Sequence, residues 1–315
     1  MVAVRRMTVA QNWFWSVLLG LGNLVLIGAL APPLCALRDL AARAVAGQRD
    51  WWPPGAAGTA VVAAWDELRG LAARPFERPE HGSPLFAQLP AWSLGLSLAL
   101  LILLPGPAAM PGLSDVADLP TLLALLALGT LPTLIGAMEE GRAAPSLRAI
   151  GATVRMAAAA PAIVLALLAV YGSVGTLGLG RPAVAPFDGG AGPLFGGALA
   201  AALLAASGSE PDGVWTGRDL VLCRYAGMVR ALAAVELVEA VALPGWLARP
   251  GWTGEAWLSA VACWPLRLVA GMVLLGLAQQ AGRRFGSRRW LLGLSCVLSL
   301  AALLLGGVSG LAGAE

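Results

Sequence analysis

Apolar residues in this chain gather in long unbroken runs, separated by short stretches rich in Arg, Pro, Gly and acidic residues. Eight runs stand out, at approximately 13–34, 91–110, 119–138, 156–176, 192–207, 227–247, 257–280 and 289–312. A helix needs about 20 apolar residues to cross about 30 Å of hydrocarbon, and the runs reach or approach that length. The fifth is short and rich in Gly and Ala, so it is expected to tilt into the bundle or to begin near residue 184. Barrel strands alternate apolar and polar positions over about ten residues, and these runs do not. The pattern predicts an all-α integral membrane protein, one membrane domain over 1–315 with about eight transmembrane helices. The first run, Trp13 to Leu34, is too long for the apolar region of a signal peptide and lacks a clear cleavage site, so a retained helix is expected there.

The longest polar segment, residues 36–90, has a periodicity of its own. Val61, Trp65, Leu68 and Ala72 recur at helical spacing, with Asp66, Glu67 and Arg69 off that stripe. This predicts an amphipathic interfacial helix over about 57–74. The segments Trp51-Trp52-Pro53-Pro54-Gly55 and Arg74-Pro75-Phe76-Glu77-Arg78-Pro79 break the helix on either side. Two roles fit: an anchor on the membrane surface, which periodicity alone favours, and a wall at the entrance to a cavity.

Composition sharpens the picture. Hydrophobic residues make up 58% of the chain and charged residues 12%, where a soluble domain carries about 25% charged residues. All 21 basic residues are Arg. The net charge is only +3, and no basic stripe exists apart from Arg283, Arg284, Arg288 and Arg289, so no nucleic-acid partner is expected. Cys35, Cys223, Cys263 and Cys296 are isolated, with no CxxC, so this chain is expected to hold neither an Fe–S cluster nor zinc. Buried apolar cysteine is the plain reading. The single histidine, His81, lies in a Pro-rich loop, and no GxSxG or P-loop frames a nucleophile. The aspartate pairs of a metal-dependent prenyltransferase are missing, since Asp115 and Asp118 fall in a short loop.

Charge asymmetry sets the expected orientation. With eight spans, the loops between spans 1–2, 3–4, 5–6 and 7–8 share one side. They hold Arg38, Arg43, Arg49, Arg69, Arg74, Arg78, Arg142, Arg148, Arg218, Arg224, Arg283, Arg284, Arg288 and Arg289. The opposite side holds Arg5, Arg6, Arg181 and Arg249. The odd loops are expected to be cytoplasmic and both termini to face out, in a bacterial or archaeal cytoplasmic membrane.

Charged residues at bilayer depth are costly and usually face a bundle interior or a wet cavity. Glu236 and Glu239 lie one turn apart in the sixth run, expected mid-span, so they share a face. Arg267 lies in the seventh run and Arg230 near the start of the sixth. Arg155 opens the fourth, shortly after Glu139-Glu140. An acidic pair facing an Arg is either a structural ion pair or an ion relay, and the residues alone leave both open.

The order of features resembles the complex I subunit 1 family, in its version from formate hydrogenlyase and other energy-converting membrane hydrogenases. Gln48-Arg49 through Pro54-Gly55 to Trp65-Asp66-Glu67-Leu68 is similar to the family's Asn-Arg-x-Gly-Pro turn and interfacial helix. Asp118-Leu119-Pro120-Thr121-Leu122-Leu123 opens a span as the family's third does. Glu139-Glu140-Gly141 and Ser146-Leu147-Arg148-Ala149-Ile150-Gly151-Ala152-Thr153-Val154-Arg155 resemble the family's Ser-Phe-x-Ala-Ile-Gly-Ala-Ser-Arg-Glu region. Arg224-Tyr225-Ala226-Gly227-Met228 resembles Glu-Tyr-Ser-Gly-Met, and Arg267-Leu268-Val269-Ala270-Gly271 resembles Lys-Leu-Val-Val-Gly. Departures accompany the match. Met156 stands where the family has Glu, Arg224 where it has Glu, and Gln279 where it has a carboxylate. The family's acidic loop shrinks to Glu210-Pro211-Asp212, with Asp219 further on.

The resemblance implies a non-catalytic membrane subunit of a hydrogenase-like or complex I-like redox assembly. Hydrogenase-like large and Fe–S small subunits would dock on its cytoplasmic face, and an antiporter-like subunit on its flank. A [NiFe] centre, Fe–S clusters or quinone would sit only in or with those partners. Glu139, Glu140, Arg155 and Arg267 would remain of the family's charge pathway, with Glu236 and Glu239 as this chain's own additions. Arg49, Asp66, Glu67, Arg148, Glu210, Asp212, Asp219, Arg224 and Tyr225 would face the soluble arm. Two other functions stay open: a stand-alone secondary transporter using Glu236, Glu239 and Arg267, and a structural anchor without ion transfer.

Overall fold

In hydrocarbon every backbone N–H and C=O must find its partner within the segment, and only a helix achieves that for a single run of chain. The computed structural model describes residues 9–47, 56–75, 83–107, 118–174, 177, 192–207, 214–243, 254–284 and 288–312. Among these residues the helices are α1 (Val9–Ala46), α2 (Ala56–Ala72), α3 (Leu89–Leu103), α4 (Leu119–Leu128), α5 (Leu131–Glu139), α6 (Ala143–Val174), α7 (Gly192–Ala206), α8 (Gly217–Ala242), α9 (Gly254–Arg284) and α10 (Arg288–Ala312). Four stretches are long and apolar enough to cross a membrane: Val17–Ala46, Leu119–Glu139, Ala143–Gly172 and Trp257–Ala281. Leu89–Leu103, Gly192–Ala206 and Arg289–Leu304 are shorter apolar helices. α8 is of comparable length but carries Arg224, Arg230, Glu236 and Glu239. The chain is an all-α, multi-pass membrane protein.

The helices are arranged around α8, which packs against α1, α2, α3, α7 and α9. The exposed large apolar side chains lie elsewhere, among them Val25 on α1, Leu168 on α6, Leu266 and Leu274 on α9, and Leu304 on α10. Water would penalise so much exposed apolar surface, and lipid does not. The core runs through Ile27, Leu100, Leu122, Phe195, Leu232, Leu268 and Met272. A smaller cluster of Phe86, Leu134, Ala149, Val214 and Trp215 closes the end of the bundle near α2.

Several boundaries differ from those expected. α1 continues to Ala46 past Pro32 and Pro33. Pro disrupts one hydrogen bond each, and neighbouring turns hold the axis. α6 begins at Ala143, so Arg148, expected in a loop, sits exposed on a helix. α8 begins at Gly217, which puts Asp219, Arg224 and Tyr225 on its first turns, and ends at Ala242. Glu236 and Glu239 are therefore in its last two turns. The expected 119–138 span is present as Leu119–Glu139, with an interruption at Gly129-Thr130 between α4 and α5. The buried stripe of α2 is Ala64, Leu68 and Leu71, with Trp65 at its edge, while Ala72 is exposed. The stripe turns because α2 packs against two helices, α1 and α8. Cys35 and Cys223 are buried, but Cys263 is exposed.

Candidate functional site

Polar groups form a ladder along α8, beginning where α2 docks. Glu67 on α2 pairs with Arg224 on α8. The Trp65 and Tyr225 rings lie 6.5 Å apart at 41°. The Tyr225 hydroxyl donates to the Gly28 carbonyl on α1 at 2.8 Å, and a Cβ at Gly28 would stand 2.9 Å from that hydroxyl. Three helices are thereby fixed at one end. Asp66 pairs with Arg69 on the surface, at 3.4 Å.

At the same end, Glu139 accepts the Ser83 backbone N–H at 3.0 Å. Glu140, with its side chain 6% exposed, pairs with Arg142 at 3.2 Å. Phe86 stacks on Trp215 with centroids 4.1 Å apart, and Gly136 allows the indole to lie against α5, where any Cβ would collide with it. Arg155 is half-buried on α6, and Asp219 half-buried in the first turn of α8. Arg49, Glu210 and Asp212 lie outside the described residues.

One step further along α8 is Arg230, 4% exposed. Its position follows from the break between α4 and α5. The helix is interrupted at Gly129-Thr130, just ahead of Pro132, whose missing N–H leaves the Leu128 carbonyl without its i+4 donor. The Gly129 carbonyl accepts from Ser93 Oγ at 3.0 Å and from Arg230 Nη1 at 2.8 Å. Arg230 Nη1 also reaches Ser93 Oγ at 2.8 Å and Ser97 Oγ at 3.2 Å. A buried guanidinium thus joins α3, α4, α5 and α8 through charge-assisted hydrogen bonds. Arg230 had been open as a partner for the acidic pair, but it is committed here.

The last step is a polar cluster between α1, α8 and α9. Glu236 is 3% exposed and accepts from Trp264 Nε1 at 3.3 Å. Arg267, 9% exposed, faces Glu239 with Nε 4.0 Å from Oε2. Asn23 on α1 adjoins Glu236, and its Nδ2 donates to the Leu101 and Leu104 carbonyls at 3.1 and 3.2 Å, closing the last turn of α3. Gly271 makes room for the Glu239 carboxylate, since a Cβ there would stand 2.5 Å from Oε1. At about 1.5 Å of rise per residue, Arg224, Arg230 and Glu236 are spaced about 9 Å apart, and Glu239 lies about 22 Å from Arg224.

Sequence reasoning named Glu236, Glu239 and Arg267 but missed Asn23, Trp264, Ser93, Ser97 and Gly129. Asn23 was detectable as a lone amide inside an apolar run, and Gly129-Thr130 as a weak point ahead of Pro132. The pairing of either with its partner was not. Among the described residues, no group of three or more His, Cys, Asp or Glu is placed to hold a metal ion.

These features define a multi-pass, all-α membrane bundle with a charged helix at its centre. One chain of the solved structure of the membrane-bound sulfane sulfur reductase, an archaeal respiratory membrane complex, has the same fold. It matches with a TM-score of 0.72 over 92% of this chain and 99% of that chain, at 14% sequence identity. No protein-family model matches the chain, and no curated protein matches it.

Proposed function

We propose that this protein is a membrane subunit of a respiratory redox complex, anchoring a soluble redox arm and coupling its turnover to ion movement. The observation that carries this reading is the polar ladder along α8. In the described bundle, Arg224, Arg230, Glu236 and Glu239 succeed one another along α8, with Arg224 exposed at the α2 end and Arg230 and Glu236 buried against different neighbouring helices. Charges at that depth are kept where they do work or hold structure. The shared fold with a chain of a respiratory membrane complex supports the same reading.

In finer terms, all eight apolar segments span the membrane, with the α2 end cytoplasmic and both termini outside. The chain belongs with the complex I subunit 1 family. Its α2 end, with Asp66, Glu67, Arg224, Tyr225 and the exposed Arg148, receives hydrogenase-like large and Fe–S small subunits. An antiporter-like subunit packs on its flank. The metal centres belong to those partners.

Gentle extraction with a tagged chain tests this. Soluble redox subunits are expected to co-purify, and the complex in vesicles is expected to move ions when the redox reaction turns over. A stable monomer with no bound redox subunit defeats the proposal. Co-purification without ion movement leaves the anchor role, which the Glu239–Arg267 pairing favours, in place of coupling.

A further inference from the structure

The cluster at the far end of the ladder has a hydrogen-bonding imbalance of definite form. Glu236 Oε2, Glu239 Oε2, Arg267 Nε and Arg267 Nη1 are all buried, and none has a hydrogen-bond partner within the protein. Glu236 and Arg267 are each more than nine-tenths buried. The closest approach of Glu239 to Arg267, 4.0 Å, exceeds hydrogen-bonding distance. Buried polar groups almost always have partners, and where protein supplies none, ordered water does.

The stranded groups are two donors on one guanidinium and two acceptors on two carboxyls, with Asn23 Oδ1 also unpartnered nearby. The Nε–H and Nη1–H bonds of a guanidinium point in different directions, so more than one ordered water is needed to meet them. A water between Arg267 and Glu239 also accounts for the 4.0 Å separation, too long for direct contact and short enough for a bridge.

Charge supplies a second, independent tally. Two carboxylates and one guanidinium leave the cluster one negative charge in excess. The other groups facing Glu236 are the Trp264 indole and the Asn23 amide, and both are neutral. An unbalanced charge enclosed in an apolar bundle is costly, and one proton cancels it. Glu239 is the carboxylate that faces Arg267, so the proton rests on Glu236.

We propose that Glu236, Glu239 and Arg267 form a hydrated proton-binding site, in which ordered water bridges the three side chains and one proton is held on Glu236 and shared with Glu239 through that water. The proposal rests on the bundle being membrane-embedded, and it gives the ladder an exchangeable charge at its far end. The transfer is balanced: Glu236 gives its proton to the water as the water gives one to Glu239, and no bond to carbon changes. Glutamine is an isostere of the protonated acid here, accepting from Trp264 and donating to the water.

Infrared difference spectroscopy on the full chain in lipid at neutral pH tests the site without requiring redox turnover. A protonated-carboxyl C=O band is expected in the wild type and absent in Glu236→Gln, with thermal stability unchanged. Glu236→Asp is expected to keep a carboxylic band at a shifted frequency, and the paired variant Glu239→Gln/Arg267→Gln to keep the Glu236 band. A water O–H band that shifts in H2 18O is expected in the wild type and lost or displaced in the paired variant. A carboxylic region identical in wild type and Glu236→Gln overturns proton binding on Glu236, and an isotope-insensitive spectrum overturns the bridging water. Either result leaves the subunit role standing, because co-purification and redox-driven ion movement are separate readouts.

Discussion

Replacing Glu239 by Gln removes one partner of the buried pair and leaves the Arg267 guanidinium enclosed by α8 and α9. At 4.0 Å, two unit charges interact by about 4 kcal/mol at an effective dielectric of about 20. Breaking a buried pair from one side usually costs about 3–5 kcal/mol, because the remaining charge keeps its desolvation penalty. Glu236 is within electrostatic reach of the same guanidinium and is expected to cushion the loss by ionising, which sets the expected cost of Glu239→Gln at about 3 kcal/mol, the lower end of that range. Arg267→Gln is expected to cost a similar amount. Together, the two substitutions remove both charges and their desolvation, so the paired variant is expected within about 1–2 kcal/mol of the wild type. The cycle is read from unfolding midpoints in a detergent titration, followed by tryptophan fluorescence, with Trp264 as a reporter in the cluster. If the paired variant loses as much as the two single variants added together, Glu239 and Arg267 do not sense each other, and the account of the cluster is wrong.

Three further outcomes follow from the geometry. Arg230→Met deletes the hydrogen bonds to Ser93, Ser97 and Gly129 but leaves Ser93 and Ser97 their own backbone partners, so a loss of about 2 kcal/mol is expected in the same titration. No loss would mean the broken α4–α5 segment does not depend on the guanidinium. Gly276→Ala places a methyl group against the Arg38 carbonyl, which belongs to backbone that cannot swing aside, whereas Gly293→Ala meets nothing within 4 Å. The first is expected to destabilise by about 1–3 kcal/mol and the second to be neutral or slightly stabilising; equal midpoints would show that α1 and α9 are not in close contact. Reporter fusions after residues 80, 145, 215 and 286 are expected to signal cytoplasm, and a fusion at 185 the opposite side; a periplasmic signal at 286 breaks the eight-span arrangement.

The hydrophobic pattern alone determined that the chain is all-α and membrane-embedded, because a run of apolar residues in lipid has no other way to satisfy its backbone. It also marked Glu236, Glu239 and Arg267, since a charge inside such a run is conspicuous in any order of helices. Periodicity found α2 but rotated its face, placing Ala72 inward in place of Leu71, because one helix considered by itself does not reveal that two others will pack against it. Only the tertiary structure decided which charge meets which group. Arg230 and Arg267 look alike in sequence, yet one enters the α4–α5 break while the other faces Glu239. The difference is made by the break at Gly129-Thr130, where the Gly129 carbonyl accepts from Arg230, and by Gly271, which opens space for a carboxylate. Asn23 is more than two hundred residues from Glu236 in the chain and beside it in the bundle. Pairings of that kind depend on helix register and rotation, set by the close contacts at Gly28, Gly196, Gly271 and Gly276, and a one-dimensional pattern of polar and apolar positions does not encode them.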